Sequence, residues 1–165
     1  MNASQRHNLP FISPGQAQKE LFHNEALQML DALVAAAVEE PPRLSPPASP
    51  VPGACYVVAG GATGDWQGRD LHIAAFTAAG WRYVAPTEGM SAFIKSSATT
   101  AVFIGGAWEI GSVRGAKLLV DGQQVVGART SAIGNPSGGS TIDAEARATI
   151  IGVLAALRQH GLIAQ

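Results

Sequence analysis

Between Phe22 and Val34 the apolar residues recur at helical spacing, and the polar ones gather opposite them. At ~100° per residue, Phe22, Ala26, Leu27, Met29, Leu30, Leu33 and Val34 fill one broad arc. Glu20, Asn24, Gln28 and Asp31 share the other side, which reads as a solvated polar face. The pattern predicts a helix from Ser13 to about Val38, stopped by Pro41 and Pro42. Ser13 suits the cap, Pro14 the first helical position, and Gln16 stands at capping-box spacing. His23 falls inside the apolar arc beside Leu30 and Val34. Phe22, His23, Leu30, Leu33 and Val34 are therefore the candidate docking face. The plainer reading of His23 is a neutral imidazole hydrogen-bonded within a packed interface. A metal ligand or pH switch would need partners, and no histidine stands at i+3 or i+4 to complete a helical zinc pair.

Six prolines between Pro41 and Pro52 predict a stiff, extended linker. From Ala54 the period shortens to that of strands. Short apolar runs, Cys55–Val58, Leu71–Phe76, Trp81–Val84, Ala92–Ile94, Ala101–Ile104, Lys117–Val120 and Gln124–Val126, alternate with Gly-rich turns. Asp121-Gly122 is a hairpin signal, because a type I′ turn needs positive φ at both central residues. "FTAAGWRY" (Phe76–Tyr83) and "FIGGAWEI" (Phe103–Ile110) echo each other, each reading as a hairpin whose second strand begins with Trp. Two copies are too few for a propeller or solenoid, so a small antiparallel sheet or partly open barrel is expected.

"GNPSGGS" (Gly134–Ser140) reads as a hinge before a second helix over Asp143 to about His160. Asp143 and Glu145 suit its first turn, Arg158 and His160 its last, and Gly161 a left-handed cap. Ala146, Ile150, Val153 and Leu157 follow a 4-3-4 spacing with Leu154 on the same arc, a coiled-coil-like seam of two heptads. A second stripe of Ala144, Ala148, Ile151 and Ala155 suggests three or more helices around an axis. Packing against the chain's own sheet would produce the same pattern. The expected fold is α+β. It divides into an N-terminal docking segment and helix (1–40), a Pro-rich linker (41–53), a small β domain (54–133), and a hinge with a C-terminal oligomerisation helix (134–165).

Composition narrows the partners. The chain is 47% hydrophobic and 14% charged, against a usual charged share of about 25%, which suits a chain that buries extra surface against copies of itself. A net charge of −1 with scattered basic residues removes the electrostatic case for nucleic acid or anionic lipid. No run approaches the ~18 apolar residues of a membrane span, and the N-terminus lacks the apolar core of a secretory signal. Cys55 is the only cysteine and sits in an apolar run, where a buried inert thiol is expected.

Motifs for chemistry are sparse. "AGGATGDWQG" lacks the Lys-Ser/Thr ending of a phosphate loop, and His7, His23, His72 and His160 lack ligand spacing. No metal, cofactor or enzymatic activity is expected, and a polysaccharide hydrolase is the least favoured reading. Asp65, Asp70 and Glu88 lie in turns, where acids more often fix the backbone. Trp66, Trp81 and Trp108 are the candidate carbohydrate-binding residues, since a tryptophan at the lip of a sheet can stack on a sugar ring. Trp81 and Trp108 read better as core, and Trp66, in "TGDWQGRD", as the exposed one.

Three stretches together, "PGQAQKELFHNEALQMLDALV", "ATGDWQGRDLHIAAFTAAGWRYVAPTEG" and "VVGARTSAIGNPSGGSTIDAEARATIIGVLAALRQHGLI", resemble a family of bacterial prophage and gene-transfer-agent proteins. Their shared domain is labelled only as of unknown function. The resemblance implies a virion spike or fibre protein that helps particles attach to cell-surface polysaccharide, and it supplies no catalytic residues. For a chain of this length it implies a spike base or connector, trimeric or pentameric, touching other virion proteins. Such a chain would be made in the bacterial cytoplasm and end in the particle. A carbohydrate-binding module is the alternative.

Overall fold

A computed structural model describes residues 3–12 and 19–165. Ser13, Pro14 and Gln16, the expected helix start, lie outside the described residues. The chain forms two compact units, Met1–Ser112 and Val113–Gln165. The division falls inside the stretch 54–133 that the turn pattern groups as one β domain. The fold is α+β, and among the described residues no sheet closes into a barrel.

In the first unit, helix α1 (Lys19–Leu33) ends five residues before the expected stop. Val34 still donates to the Leu30 carbonyl, and Ala35 then turns the chain out with φ +45. The run Ala36–Val38 has helical composition, but it pairs instead. Strand β1 (Ala37–Val38) lies parallel to β5 (Ser91–Ile94), in register Ala37↔Phe93 and Val38↔Ile94. A contact more than 50 residues away thus overrides local propensity.

β5 continues antiparallel into β6 (Thr99–Ile104) and β7 (Ala107–Ile110). A second sheet joins β2 (Cys55–Val57), β3 (Ile73–Thr77) and β4 (Gly80–Val84). Alternation sorts their side chains. Cys55, Val57, Ile73 and Ala75 meet Val38, Ala92, Ile94, Ala101 and Ala32 in one buried cluster, so both sheets and the end of α1 share a core. Ala54, Tyr56, Val58 and Ala74 point the other way, into a second cluster closed by Ala62 and Trp66 of the loop after β2. The two echoed segments are matching hairpins, β3–β4 and β6–β7. Phe76 pairs with Trp81 and Phe103 with Trp108, with ring centroids 4.9 and 5.5 Å apart.

The Pro-rich stretch is tied to the second sheet. Glu39 and Arg43 donate to the Cys55 and Val57 carbonyls, Ala59 donates back to Arg43, and Gly53 donates to Phe76. Pro41 and Pro42 fall between the bonded residues, where no N–H is needed. Gly53 has φ +93, and a Cβ there would stand 3.3 Å from Gln5 Cβ, so the N-terminal segment packs against this turn.

The second unit holds the hairpin β8–β9 (Leu118–Val120, Gln123–Val126) and helix α2 (Ala144–Gln159). Asp121 and Gly122 have φ +48 and +76, the type I′ turn that the dipeptide predicts. Asp143 is the N-cap of α2, its carboxylate accepting from Ala146 N at 2.8 Å. Gly161 takes φ +70 beyond the last turn, and Leu162 N closes on the Leu157 carbonyl. Arg147 and Arg158 bond to Gly138 and Ile133 carbonyls, anchoring both ends of the expected hinge region.

Candidate functional site

The polar face of α1 is where the sequence reading needs most correction. Asp31 is buried. Its Oδ1 accepts from Ser4 Oγ at 2.8 Å and from His7 N at 2.6 Å, and its Oδ2 accepts from Arg6 N at 2.8 Å. The Arg6 guanidinium then donates to the carbonyls of Asp31, Ala32 and Ala35, and His7 Nε2 lies 2.9 Å from the Val34 carbonyl. Carbonyls at a helix C-terminus are orphaned and carry negative partial charge. Here residues 25 to 29 positions upstream cap them. Farther along the same stripe, the Asn24 side-chain amide pairs with both backbone groups of Ile12, at 2.9 and 3.1 Å. Glu25 meets Arg82 of β4 at 2.7 Å. The face expected to be solvated by Glu20, Asn24, Gln28 and Asp31 is instead the face that holds the chain's own N-terminal segment.

The apolar arc consequently points outward. Phe22 is 76% exposed and His23, Leu30 and Val34 are exposed, while Leu33 packs against the core. Of the five docking-face residues, four share the open surface and one is structural. Ser4, Arg6 and His7 were not legible as site residues, because nothing local marks them. Their role depends on contacts to a helix some two dozen residues away.

The tryptophans divide against expectation. Trp66, read as exposed, is 0% exposed and packs tilted against Tyr56 and edge-on against Trp81, with centroids 5.7 and 5.1 Å away. Its loop folds back because Asp70 accepts from Ala62 N, and the Tyr83 hydroxyl donates to the Asp65 carbonyl at 2.7 Å. The Nε1 of Trp66 has no hydrogen-bond partner among the described residues. Trp81 and Trp108 are half-buried, as core residues at a margin. Trp108 donates to the Leu71 carbonyl at 2.8 Å and so links the two sheets.

The turn acids behave as backbone clamps. Glu88 accepts from Gly105 N, and the N–H groups of Ala62 and Gly61 hold the Asp70 carboxyl below its ordinary value. Burial raises the Cys55 thiol and the Tyr56 and Tyr83 phenols. An open groove of about 790 Å³ is lined by Gln5, Glu39, Glu40, Tyr56, Lys95 and Ser96, among others. Both of its acids are neutralised, Glu39 by Lys95 at 2.7 Å and Glu40 by Arg43. Among the described residues no group of three or more His, Cys, Asp or Glu is placed to hold a metal ion, and no helix is long and apolar enough to cross a membrane.

In the second unit only Leu154 and Ile163 are buried. The seam residues split. Leu154 turns inward at 6% exposure and Leu157 is half-buried, while Ala146, Ile150 and Val153 face out. Every residue of β8 and β9 is exposed, on both faces of the hairpin.

A family model described as "Protein of unknown function (DUF2793)" matches residues 23–109, a little over half of the chain. The chain belongs to this family. The match runs from the first turns of α1 to β7 and leaves the second unit outside it. No curated protein matches the chain.

Proposed function

Given that the chain belongs to this family, we propose that it is a structural component of a phage-like particle. In this reading it is the homo-oligomeric base or connector of a spike or fibre in a gene transfer agent or prophage, working in host attachment. The observation that carries the reading is the second unit. Leu118, Leu119, Val120, Val125 and Val126 are exposed on a two-stranded hairpin, and α2 of the same unit exposes Ile150 and Val153. An isolated hairpin is marginal in water, and exposed apolar surface of this kind marks an interaction site. Copies of the same unit would bury both hairpin faces and the outer seam of α2 around one axis, as a trimer or pentamer. Other virion proteins would then meet the rest of the surface. The likeness of three stretches to virion spike and fibre proteins supports the same reading.

Light scattering on the full-length chain is expected to give an oligomer that Leu119→Glu with Val153→Glu reduces to monomer, with its secondary structure kept. A monomer at every concentration overturns the reading. Detection of the chain in purified particles tests the location directly.

Carbohydrate binding is the second reading. What favours it is the half-exposed Phe76–Trp81 ring pair beside Tyr83, whose ring is covered by Arg69 at 5.0 Å. Host polysaccharide binding that is absent, or unchanged by Trp81→Ala, removes it.

A further inference from the structure

The open groove of about 790 Å³ lies within the first unit, and its size is that of a small-molecule site, ~300–1,000 Å³. Its frame is fixed by backbone bonds. Glu39 N donates to the Cys55 carbonyl at 2.9 Å, Ser96 N to the Glu39 carbonyl at 3.1 Å, and Gly53 N to the Phe76 carbonyl at 2.7 Å. With those backbone groups engaged, side chains are left to recognise whatever enters. Tyr56 lines the groove and is only 8% exposed. Its ring is held by Trp66 and Trp81, with centroids 5.7 and 6.0 Å away, and by the Arg43 guanidinium at 5.9 Å. The Tyr83 hydroxyl donates to the Asp65 carbonyl, but the Tyr56 hydroxyl has no hydrogen-bond partner among the described residues. Burial raises the Tyr56 phenol, and Glu39 and Glu40 raise it further, so its hydroxyl end faces the two carboxylates that line the groove with it. A polar group on so buried a side chain is costly to leave unpaired.

We propose that this groove binds a neutral saccharide, with the Tyr56 hydroxyl and the Glu39 and Glu40 carboxylates hydrogen-bonding its hydroxyls. Charge decides the class of ligand. Glu39 is paired with Lys95 at 2.7 Å and Glu40 with Arg43, so an ionic ligand would have to break a pair or meet a like charge. Each pairing uses only part of its groups, because an ionised carboxylate has about four acceptor sites and an ammonium three donors. The remaining acceptors suit hydroxyl donors, whose bonds to a carboxylate are roughly twice as strong as neutral ones. The Lys95 ammonium and the Ser96 hydroxyl offer donors to a sugar's own oxygens, and the Tyr56 hydroxyl can give or accept. Val51 and Pro52, both exposed, present an apolar surface to the C–H face of a ring. A hydrocarbon ligand would match that surface alone and leave the polar groups without partners. The inference does not rest on the oligomer proposed above, and it puts a sugar away from the Phe76–Trp81 pair.

Amide shifts of the isotope-labelled whole chain test it, with neutral hexoses, 6-deoxyhexoses and their disaccharides as probes. At least one probe is expected to give saturable shifts at Gly53, Lys95 and Ser96, with a Kd in the millimolar range because an open groove covers only part of a ring. Tyr56→Phe removes the hydroxyl, keeps the ring packing and is expected to weaken binding about fivefold, the loss of one neutral hydrogen bond. Glu39→Gln removes a charged acceptor and is expected to weaken it by about tenfold or more. Glucuronate and glucosamine, one anionic and one cationic, are expected to bind more weakly than the neutral sugars. Shifts confined to Trp81 and Tyr83 overturn the groove and support the carbohydrate reading above. The proposal is also overturned by no saturable shift from any neutral probe, by shifts that Tyr56→Phe and Glu39→Gln both leave unchanged, or by tighter binding of either charged sugar.

Discussion

The two compact units answer the hydrophobic effect in different ways. Residues up to Ser112 place apolar side chains on both faces of the β2–β3–β4 sheet and cover both, one with the second sheet and α1, the other with the Trp66 loop. Residues from Val113 on have comparable apolar content but cover little of it, with Leu154 and Ile163 alone buried. The family match falls within the covered unit, over residues 23–109, and stops before the open one. A domain that completes its own core can be kept as a module. A hairpin and helix that do not complete one leave their apolar side chains in water.

The largest effect that would sharpen this contrast is at Trp66. Trp66→Ala empties the centre of the second cluster and is expected to cost about 3–5 kcal/mol, read as a lowered denaturant midpoint of the first unit. A change under 1 kcal/mol would mean that the Trp66 loop is not part of the core.

Neighbouring residues of α2 test the open unit. Leu154→Ala, at the buried position, is expected to cost about 2 kcal/mol or more, while Val153→Ala, 55% exposed, should leave subunit stability within ~0.5 kcal/mol and weaken self-association. Equal effects from the two would break the distinction between inner and outer seam.

A smaller loss is expected at the clamp. Asp31→Ala leaves the Arg6 and His7 N–H groups and the Ser4 hydroxyl without their acceptor, at about 1–3 kcal/mol. Hydrogen exchange checks the mechanism, because the Arg6 and His7 amides should lose protection while the core of β3 keeps it.

The smallest effect depends on pH. The carboxyl of Asp70 is held below its ordinary value by backbone N–H groups. Its contribution is therefore present above the unfolded value near ~3.9 and is lost as pH falls through the lower folded value. The gap in melting temperature between wild type and Asp70→Asn, followed from pH 7 to pH 3, should begin to narrow once pH falls below the unfolded value. A constant gap would place the stabilisation elsewhere.

Much of the local structure was legible in the chain. The Asp121-Gly122 turn, the paired Phe–Trp hairpins, the Asp143 cap and the Gly161 terminus each depend on residues within a few positions of one another, and each forms as its chemistry dictates. The orientation of α1 was not legible. Periodicity separates a helix into two faces without saying which one the rest of the chain will meet. In α1 the answer came from Ser4, Arg6 and His7, which reach Asp31 and the terminal carbonyls and draw the polar face inward. The same holds for Ala37–Val38, a strand only because Phe93 and Ile94 lie beside it, and for Trp66, buried only because Asp70 and Tyr83 fold its loop back. By itself the sequence determined turns, caps and the existence of each helix and hairpin, because those free energies are local. Only the tertiary structure decided which faces are hidden and which are left exposed, because burial is settled by contacts between residues far apart in the chain.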